Sequence, residues 1–284
     1  MPNGVQVQVL SPALGTDKLR ALFYIIRSCL FDKYQNGDSS VNGTVCEYYL
    51  HKPPVGGQHY QEVKKMKITD YIIRQETEKD YREVEEMARE AFWNLSVPGC
   101  SEHYFIHLLR QHKAFLPQLD YVLESDGMIL GCVMYSESDI TDEQGNKKTV
   151  LTMGPLCVRK GYQRQGLGKA LLEHTFRLAE EMGYDTVINF GNPDNYVARG
   201  YKSCLKYNVC FEGDIYPSAL LVKTLKDGVF DGRKWYYHQN DAADPCDDEQ
   251  AVAEYDALFP PKEKAWQPSQ EEFFIHRHSL MQRE

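Results

Sequence analysis

VRKGYQRQGLGK, at residues 158–169, decides the fold of this chain, because it joins two different patterns through a glycine-rich turn. An apolar strand pattern, Thr149 to Val158, comes before it, and an amphipathic helix pattern, Gly166 to Met182, follows. A turn of this kind presents unpaired backbone N–H groups and the positive end of the helix dipole. The stretch therefore predicts an anion site, for which phosphate is the natural guest.

Spacing excludes two common phosphate-binding motifs from this turn. A dinucleotide fingerprint needs a third glycine three residues after Gly168, where Leu171 stands. A P-loop needs a glycine at the position of Gln163 and a hydroxyl side chain at the position of Ala170. The pattern that remains is Gln-x-x-Gly-x-Gly at residues 163–168.

The segments around the turn predict an α/β fold with a mixed sheet of about seven strands and flanking helices. Before the turn, two predicted hairpins form an antiparallel meander that ends with the strand at 149–158. After the helix, Thr186 to Phe190 reads as a buried strand, and a right-handed crossover makes it parallel to 149–158. The remaining predicted elements are a strand at 71–74, helices that begin near Asp80 and Ser101, a short helix at 195–199, and strands near 209–211 and 219–225.

The chain divides into three predicted parts. Residues 1–67 read as a poorly ordered N-terminal extension with one apolar helix candidate, Lys18 to Lys33. Residues 68–226 carry the regular pattern, and 227–284 form an acidic C-terminal extension. We expect its acids to lie on a solvated loop and helix, with attraction of a cationic substrate as the less favoured interpretation. Seven acids and no lysine or arginine occur between residues 235 and 261: Asp241, Asp244, Asp247, Asp248, Glu249, Glu254 and Asp256.

Composition narrows the classes of function. The net charge of −9 argues against nucleic acid as the main partner, because phosphate binding favours a basic face. Runs such as Ala21 to Phe31, which Arg27 interrupts, are shorter than the roughly 20 residues of a membrane span, so we expect no membrane association. Eight scattered cysteines without a Cys-x-x-Cys pair indicate neither a disulfide framework nor a zinc site. We expect a cytoplasmic protein with reduced thiols.

The motif at residues 163–168 resembles that of the GNAT superfamily of N-acetyltransferases, whose Gln/Arg-x-x-Gly-x-Gly/Ala loop holds the pyrophosphate of acetyl-CoA. A second block, Tyr196-x-x-x-Gly200-Tyr201, is similar to the family's Tyr-x-x-x-Gly-Phe. The resemblance extends over about 68–226. Two further segments, at 115–121 and 259–264, are similar to an uncharacterised bacterial branch of the family that carries a C-terminal extension.

This resemblance implies a transferase that moves an acetyl group from acetyl-CoA to a primary amine of a small molecule, peptide or protein by direct attack. It implies acetyl-CoA as cosubstrate, an amine acceptor as partner and no metal, and leaves a homodimer open. The strand after Gly154-Pro155 is expected to diverge from Thr186 to Phe190, so that its free edge can pair with the pantetheine arm. The residues expected to bind the cosubstrate are Leu156, Cys157, Val158, Gln163, Arg164, Gln165, Gly166, Leu167, Gly168 and Lys169.

The resemblance assigns to Tyr196 the role of the acid that protonates the leaving CoA thiolate; the alternative is an aromatic that only packs. A backbone N–H near Leu156 or Cys157 is the expected oxyanion donor. The general base is not visible, since the strand at 149–158 contains no carboxylate. Glu137, Asp139 and a water relay remain open for this role.

Three histidines and two other classes of function complete the alternatives. His103, His107 and His112 fall on or beside one predicted helix, and they favour packing or surface positions, then a substrate pocket, over a metal site. A non-catalytic acyl-CoA-binding sensor would keep the phosphate loop and lack a base. A scaffold protein would use residues 1–67 and 227–284 for assembly.

Overall fold

The structure, a computed structural model, describes residues 70–282. The predicted N-terminal extension at 1–67, with its helix candidate Lys18 to Lys33, lies outside these residues. The described residues fall within one unit of the chain, Lys67–Glu284.

Nine strands and six α-helices make up the described part of the chain. The strands are β1 Ile72–Gln75, β2 Tyr121–Ser125, β3 Met128–Asp142, β4 Lys147–Val158, β5 Thr186–Phe190, β6 Lys202–Ser203, β7 Val209–Cys210, β8 Leu220–Thr224 and β9 Trp235–His238. The α-helices are α1 Tyr81–Phe92, α2 Glu102–Leu109, α3 Leu167–Glu181, α4 Pro193–Tyr196, α5 Glu249–Asp256 and α6 Pro268–His278. Short 3₁₀ turns occur at Pro117–Leu119, Val197–Arg199, Cys204–Tyr207 and Asp241–Asp247.

All nine strands belong to one mixed sheet, so the predicted fold class is confirmed. The main order is β1-β2-β3-β4-β5-β8-β6, with β9 beside β3 and β7 beside β9. β1 to β4 form the antiparallel meander, and β4 and β5 are parallel, as the crossover through α3 predicts. The prediction of about seven strands missed β6 and β9, because β6 has two residues and β9 lies within the predicted C-terminal extension.

The sheet opens between β4 and β5, and this opening positions the site. The two strands pair only at Leu151 with Val187 and at Thr152 with Ile188. Beyond Thr152, β4 pairs with β3 alone, so the predicted divergence is confirmed. β4 itself continues past Gly154-Pro155, and the irregularity there is a shift in its register with β3.

Helices cover both faces of the sheet and place its apolar side chains in separate clusters. On one face, α3 packs Leu167, Leu171 and Leu172 against the centre of the sheet. On the other face, α1 and α2 cover β2, β3 and β4 with Val84 and Ile106. In the described residues, no helix is both long and apolar enough to cross a bilayer.

The C-terminal part of the chain joins the sheet. β9 pairs antiparallel with the far end of β3, from Asp142 opposite Trp235 to Asp139 opposite His238. After β9, Asp256 of α5 binds Arg89 of α1 through two hydrogen bonds of 2.6 and 3.1 Å. The sheet therefore runs across the predicted boundary between residues 226 and 227, and the acidic segment contributes a structural ion pair.

We expect Arg89→Ala to lower the free energy of unfolding by about 3 kcal/mol, because it leaves the partly buried Asp256 carboxylate without its partner. The Arg89 guanidinium also stacks over the Trp93 ring at 4.4 Å. Chemical denaturation measures the change. Arg177→Ala is the control, since the exposed Arg177–Glu181 pair contributes less than about 1 kcal/mol. Equal losses in both variants would contradict the importance of the buried pair.

A buried acidic network lies between β1, α1 and α2. Arg110 binds Glu76 at 2.7 Å and Glu85 at 2.6 Å, and all three side chains are buried. Asp120 adds a third carboxyl, and its Oδ1 has no hydrogen-bond partner among the described residues. Burial, reinforced by the Glu76 carboxylate, raises the pKa of Asp120 to about 9. Asp120 is therefore neutral in the folded protein at pH 7.

This raised pKa predicts that stability falls as the pH rises from about 4 to 9, because the folded chain holds a proton that the unfolded chain releases. Asp120→Asn removes this ionisation, so we expect a shallower decline and higher stability at pH 8. Urea denaturation from pH 5 to 9 measures both effects. Asp126→Asn, an exposed change in the β2–β3 turn, is the control and should leave the profile unchanged. A wild-type profile in Asp120→Asn would show that Asp120 is already ionised.

Candidate functional site

The glycine-rich turn reverses the chain between β4 and α3 through three residues in the left-handed region. The φ angles are +89° at Gly161, +63° at Arg164 and +94° at Gly166. Gly166 is also the N-cap of α3, where no side chain covers the end of the helix. Residues with a Cβ rarely adopt positive φ angles, so glycine at 161 and 166 lets the turn form without backbone strain.

The first turn of α3 has the free backbone amides that the predicted anion site requires. The first i to i−4 hydrogen bond of α3 runs from the N–H of Ala170 to the carbonyl of Gly166, at 3.0 Å. The amides of Leu167, Gly168 and Lys169 precede it and have no intrahelical partner. Three N–H groups and the positive end of the helix dipole therefore lie together at the start of α3.

The predicted loop side chains divide into charged, bracing and packing residues. Arg164 and Lys169 are exposed beside the free amides, and they add positive charge. Gln163 Nε2 donates to the Val158 carbonyl at 3.1 Å, which braces the turn against the end of β4. Leu167 is buried against the core, so it offers a backbone amide rather than a side chain.

Arg159 fixes the start of the turn, and sequence reasoning did not single it out. Its Nε donates to the Ile129 carbonyl at 2.6 Å, and its Nη2 lies 2.5 Å from Glu83 of α1. Its backbone N–H continues the ladder to Leu130. A single basic residue at a strand end gives no signal that its partners lie on another strand and another helix.

The segment Leu156, Cys157 and Val158 borders the opening between β4 and β5. Its three residues face Val133, Cys132 and Gly131 of β3. In the described chain, no strand pairs with the other edge of this segment, since β5 leaves β4 after Thr152. An extended ligand with amide groups can therefore pair with this edge as an added strand.

Tyr196 lies on α4, directly after β5. Asn192 caps this helix by accepting the Asp194 N–H at 3.0 Å. The Tyr196 ring packs edge-on against Tyr201 at 5.5 Å, and the Tyr201 hydroxyl donates to Met153 Sδ of β4 at 3.6 Å. Burial raises the pKa of Tyr196 above its usual value of 10, so the hydroxyl is protonated at neutral pH.

The carboxylates considered as bases are engaged elsewhere. Glu137 accepts a hydrogen bond from the Tyr184 hydroxyl, and Asp139 pairs with Lys147 at 2.8 Å. Both lie within β3, one strand away from the opening. His112 Nε2 lies 3.0 Å from Asp241, and the His112 side chain is mostly buried.

His103 and His107, the other two histidines of this group, differ in how far they are buried. His103 is fully buried between Cys100 and Asp256, and burial lowers its pKa to about 4. His107 is partly exposed and packs against the Tyr255 ring. Within residues 70–282, no group of three or more His, Cys, Asp or Glu side chains has the arrangement of a metal site.

Comparisons with known proteins identify the family. Residues 79–203 match the sequence profile of the Acetyltransferase (GNAT) family. The chain carries a GNAT acetyltransferase domain. It is 26% identical over 161 residues to "Uncharacterized N-acetyltransferase YhbS" of Escherichia coli strain K12, which covers 57% of this chain and 91% of that protein. The resemblance inferred from the two sequence blocks is confirmed.

One solved structure shows the same fold, and a second is a similar chain. The crystal structure of the Escherichia coli GNAT family N-acetyltransferase YhbS in complex with CoA superposes with a TM-score of 0.52 at 24% identity, over 61% of this chain and 92% of that one. A GNAT family acetyltransferase from Brucella melitensis, in complex with acetyl-CoA, gives a TM-score of 0.47 at 20% identity, over 61% and 97%. The GNAT match at 79–203 contains the turn, α3, β4, β5 and Tyr196.

Proposed function

We propose that this GNAT domain transfers an acetyl group from acetyl-CoA to a primary amine of a small molecule, peptide or protein by direct attack. The observation that carries the proposal is that the free amides of α3 and the unpaired edge of β4 follow one another. The free amides at the start of α3 lie beyond the end of β4, and the unpaired edge of β4 leads back from them to the opening between β4 and β5. Tyr196 follows β5 in the chain. A pyrophosphate joined to an extended arm fits this arrangement.

The residues have distinct roles in this proposal. Gly166, Gly168 and the amides of the turn bind the pyrophosphate, with Arg164 and Lys169 supplying positive charge. The β4 edge at 156–158 pairs with the pantetheine arm, and an amide near Leu156 or Cys157 donates to the developing oxyanion. Three further residues of the turn are proposed to contact the cosubstrate: Gln163, Gln165 and Leu167.

Tyr196 supplies the proton for the leaving thiolate. Acetyl-CoA brings the activated acyl group, so the chain itself must align the acceptor and move protons. A buried tyrosine with a raised pKa keeps its proton until negative charge develops nearby. For the proton on the attacking amine, a water relay or a carboxylate remains open.

The proposal also covers the cellular location and the partners of the enzyme. We propose a cytoplasmic protein, which agrees with the free thiols of Cys100, Cys132, Cys157, Cys204 and Cys246. A homodimer is compatible with this proposal, and nucleic acid and membranes are not its partners. A non-catalytic acyl-CoA sensor is the alternative, favoured by the engagement of Glu137 and Asp139 in other contacts.

A thiol-release assay with acetyl-CoA and a panel of amines and peptides tests the proposal, with mass spectrometry to identify acetylated products. We expect amine-dependent CoA release and a product heavier by one acetyl group. CoA binding by calorimetry without release for any amine would favour the sensor. Absence of both binding and release would contradict the site assignment itself.

A further inference from the structure

Thr152 marks the apex of the opening, since it is the last residue of β4 that pairs with β5. Its neighbours Leu151 and Met153 pack in the cluster that contains the leucines of α3. Alternation along a strand therefore places the Thr152 side chain on the opposite face of the sheet, where it is partly exposed. The α3 face carries the free amides assigned to the cosubstrate, so the opposite face is the side left for an acceptor.

A chain of hydroxyl groups meets at Thr152. The hydroxyl oxygen of Tyr237, in β9, lies 2.6 Å from Thr152 Oγ1, and Thr152 donates to Ser138 Oγ of β3 at 2.7 Å. Ser138 Oγ also accepts the backbone N–H of Asn240 at 3.2 Å. Because the Thr152 proton is spent on Ser138, Tyr237 is the donor to Thr152. Burial raises the pKa of Tyr237 to about 12, so Tyr237 holds this proton at neutral pH.

The direction of these protons decides what Thr152 can bind. A hydroxyl group has one proton and two lone pairs. The Thr152 proton goes to Ser138 and one lone pair accepts from Tyr237, so only a lone pair is left for a ligand. A primary amine beside such a group donates an N–H to it, and the lone pair of the amine nitrogen stays free to attack.

We propose that Thr152 Oγ1 accepts an N–H of the acceptor amine at the apex of the opening, and that Tyr237 is the positioning residue that fixes the Thr152 hydroxyl for this contact. The inference rests on the proposed transferase function and deepens it, since it places the amine on the face opposite α3. Tyr237 and Asn240 lie outside the GNAT match at 79–203, so the C-terminal part of the chain completes the acceptor site.

Amine binding can be measured without any acetyl transfer. Saturation-transfer difference NMR at neutral pH follows the binding of n-propylamine to the CoA-saturated protein. Thr152→Val keeps the shape of the side chain and removes the oxygen, so we expect the dissociation constant for propylamine to rise roughly tenfold, the scale of one hydrogen bond. Thr152→Ser keeps the hydroxyl and should bind propylamine as the wild type does. Propyltrimethylammonium has no N–H to donate, so its signal should be the same in the wild type and in Thr152→Val.

Tyr237→Phe removes the donor to Thr152, and we expect a smaller rise of the same dissociation constant. Tyr236→Phe is the matched control, because Tyr236 precedes Tyr237 on β9 and projects from the other side of the strand. Equal propylamine binding by the wild type and Thr152→Val, or no binding by the wild type, would overturn the proposal. Wild-type binding in Tyr237→Phe would overturn the positioning role. If Thr152→Val does not fold, Thr152→Ala gives the same test.

Kinetics separate the acceptor site from the cosubstrate site. With an amine that supports turnover, Thr152→Val should raise the KM for that amine roughly tenfold and leave the KM for acetyl-CoA unchanged. An equal rise in the KM for acetyl-CoA would assign Thr152 to the cosubstrate site and overturn the acceptor role. Thr152-dependent propylamine binding without CoA release for any amine would contradict catalysis and confirm the amine site, so the two failures are distinguishable.

Discussion

Gly168→Asp raises the dissociation constant for CoA at least about a hundredfold, if the amides of α3 hold the pyrophosphate. A carboxylate at this position lies among the three free N–H groups and repels a phosphate a few ångströms away, at a cost of several kcal/mol. The fold should survive, because an acidic residue in the first turn of a helix favours the helix. Isothermal calorimetry with CoA measures the affinity, and circular dichroism measures the fold.

Gly168→Asn is the matched control, since asparagine has the size of aspartate without its charge. A Cβ at 168 meets only Val158 Cγ2 at 3.5 Å, which is an ordinary contact. We therefore expect a much smaller loss of affinity in this variant. Gly166 is less suitable for the test, because any side chain there is strained at a φ of +94°. Unchanged CoA affinity in Gly168→Asp would contradict the phosphate site.

Tyr196→Phe should lower turnover by about 10² or more, the usual scale for loss of a general acid. The substitution removes one oxygen and keeps the ring that packs against Tyr201 and Gly191. Stability and CoA affinity should therefore stay close to wild type. Steady-state kinetics with the best amine acceptor, under conditions where chemistry limits the rate, gives the comparison.

Two outcomes would remove the acid role from Tyr196. Near-normal turnover in Tyr196→Phe would leave water as the source of the proton and the tyrosine as a packing residue. A joint collapse of CoA affinity and turnover would make the hydroxyl a binding contact. Tyr207→Phe is a useful control, because its hydroxyl contacts Thr224 Oγ1 of β8 and none of the groups proposed for proton transfer.

Local chemistry explains how much of the fold could be predicted. The turn at 158–169 can be recognised from local sequence, because it has glycines at left-handed positions and an amphipathic helix after it. The crossover rule then makes β4 and β5 parallel. The split between them follows from Gly154-Pro155 only in part, because β4 itself continues and the register shift is with β3.

Long-range contacts explain what could not be predicted. β9 gave no signal of its own, since WYYH at 235–238 stands before an acidic stretch and pairs with a strand far earlier in the chain. Likewise, the pairing of His112 with Asp241 joins segments that no motif connects.

The late position of β9 in the chain bears on how the protein forms during translation. β3 is synthesised early, but the strand that covers the edge at Asp139–Asp142 emerges roughly a hundred residues later, which takes about 5 to 20 s at ordinary elongation rates. Until then, that backbone edge has unpaired groups open to other nascent chains. A ribosome-bound intermediate arrested before Trp235 would therefore bind holdase chaperones more strongly than one arrested after the whole chain has emerged from the exit tunnel.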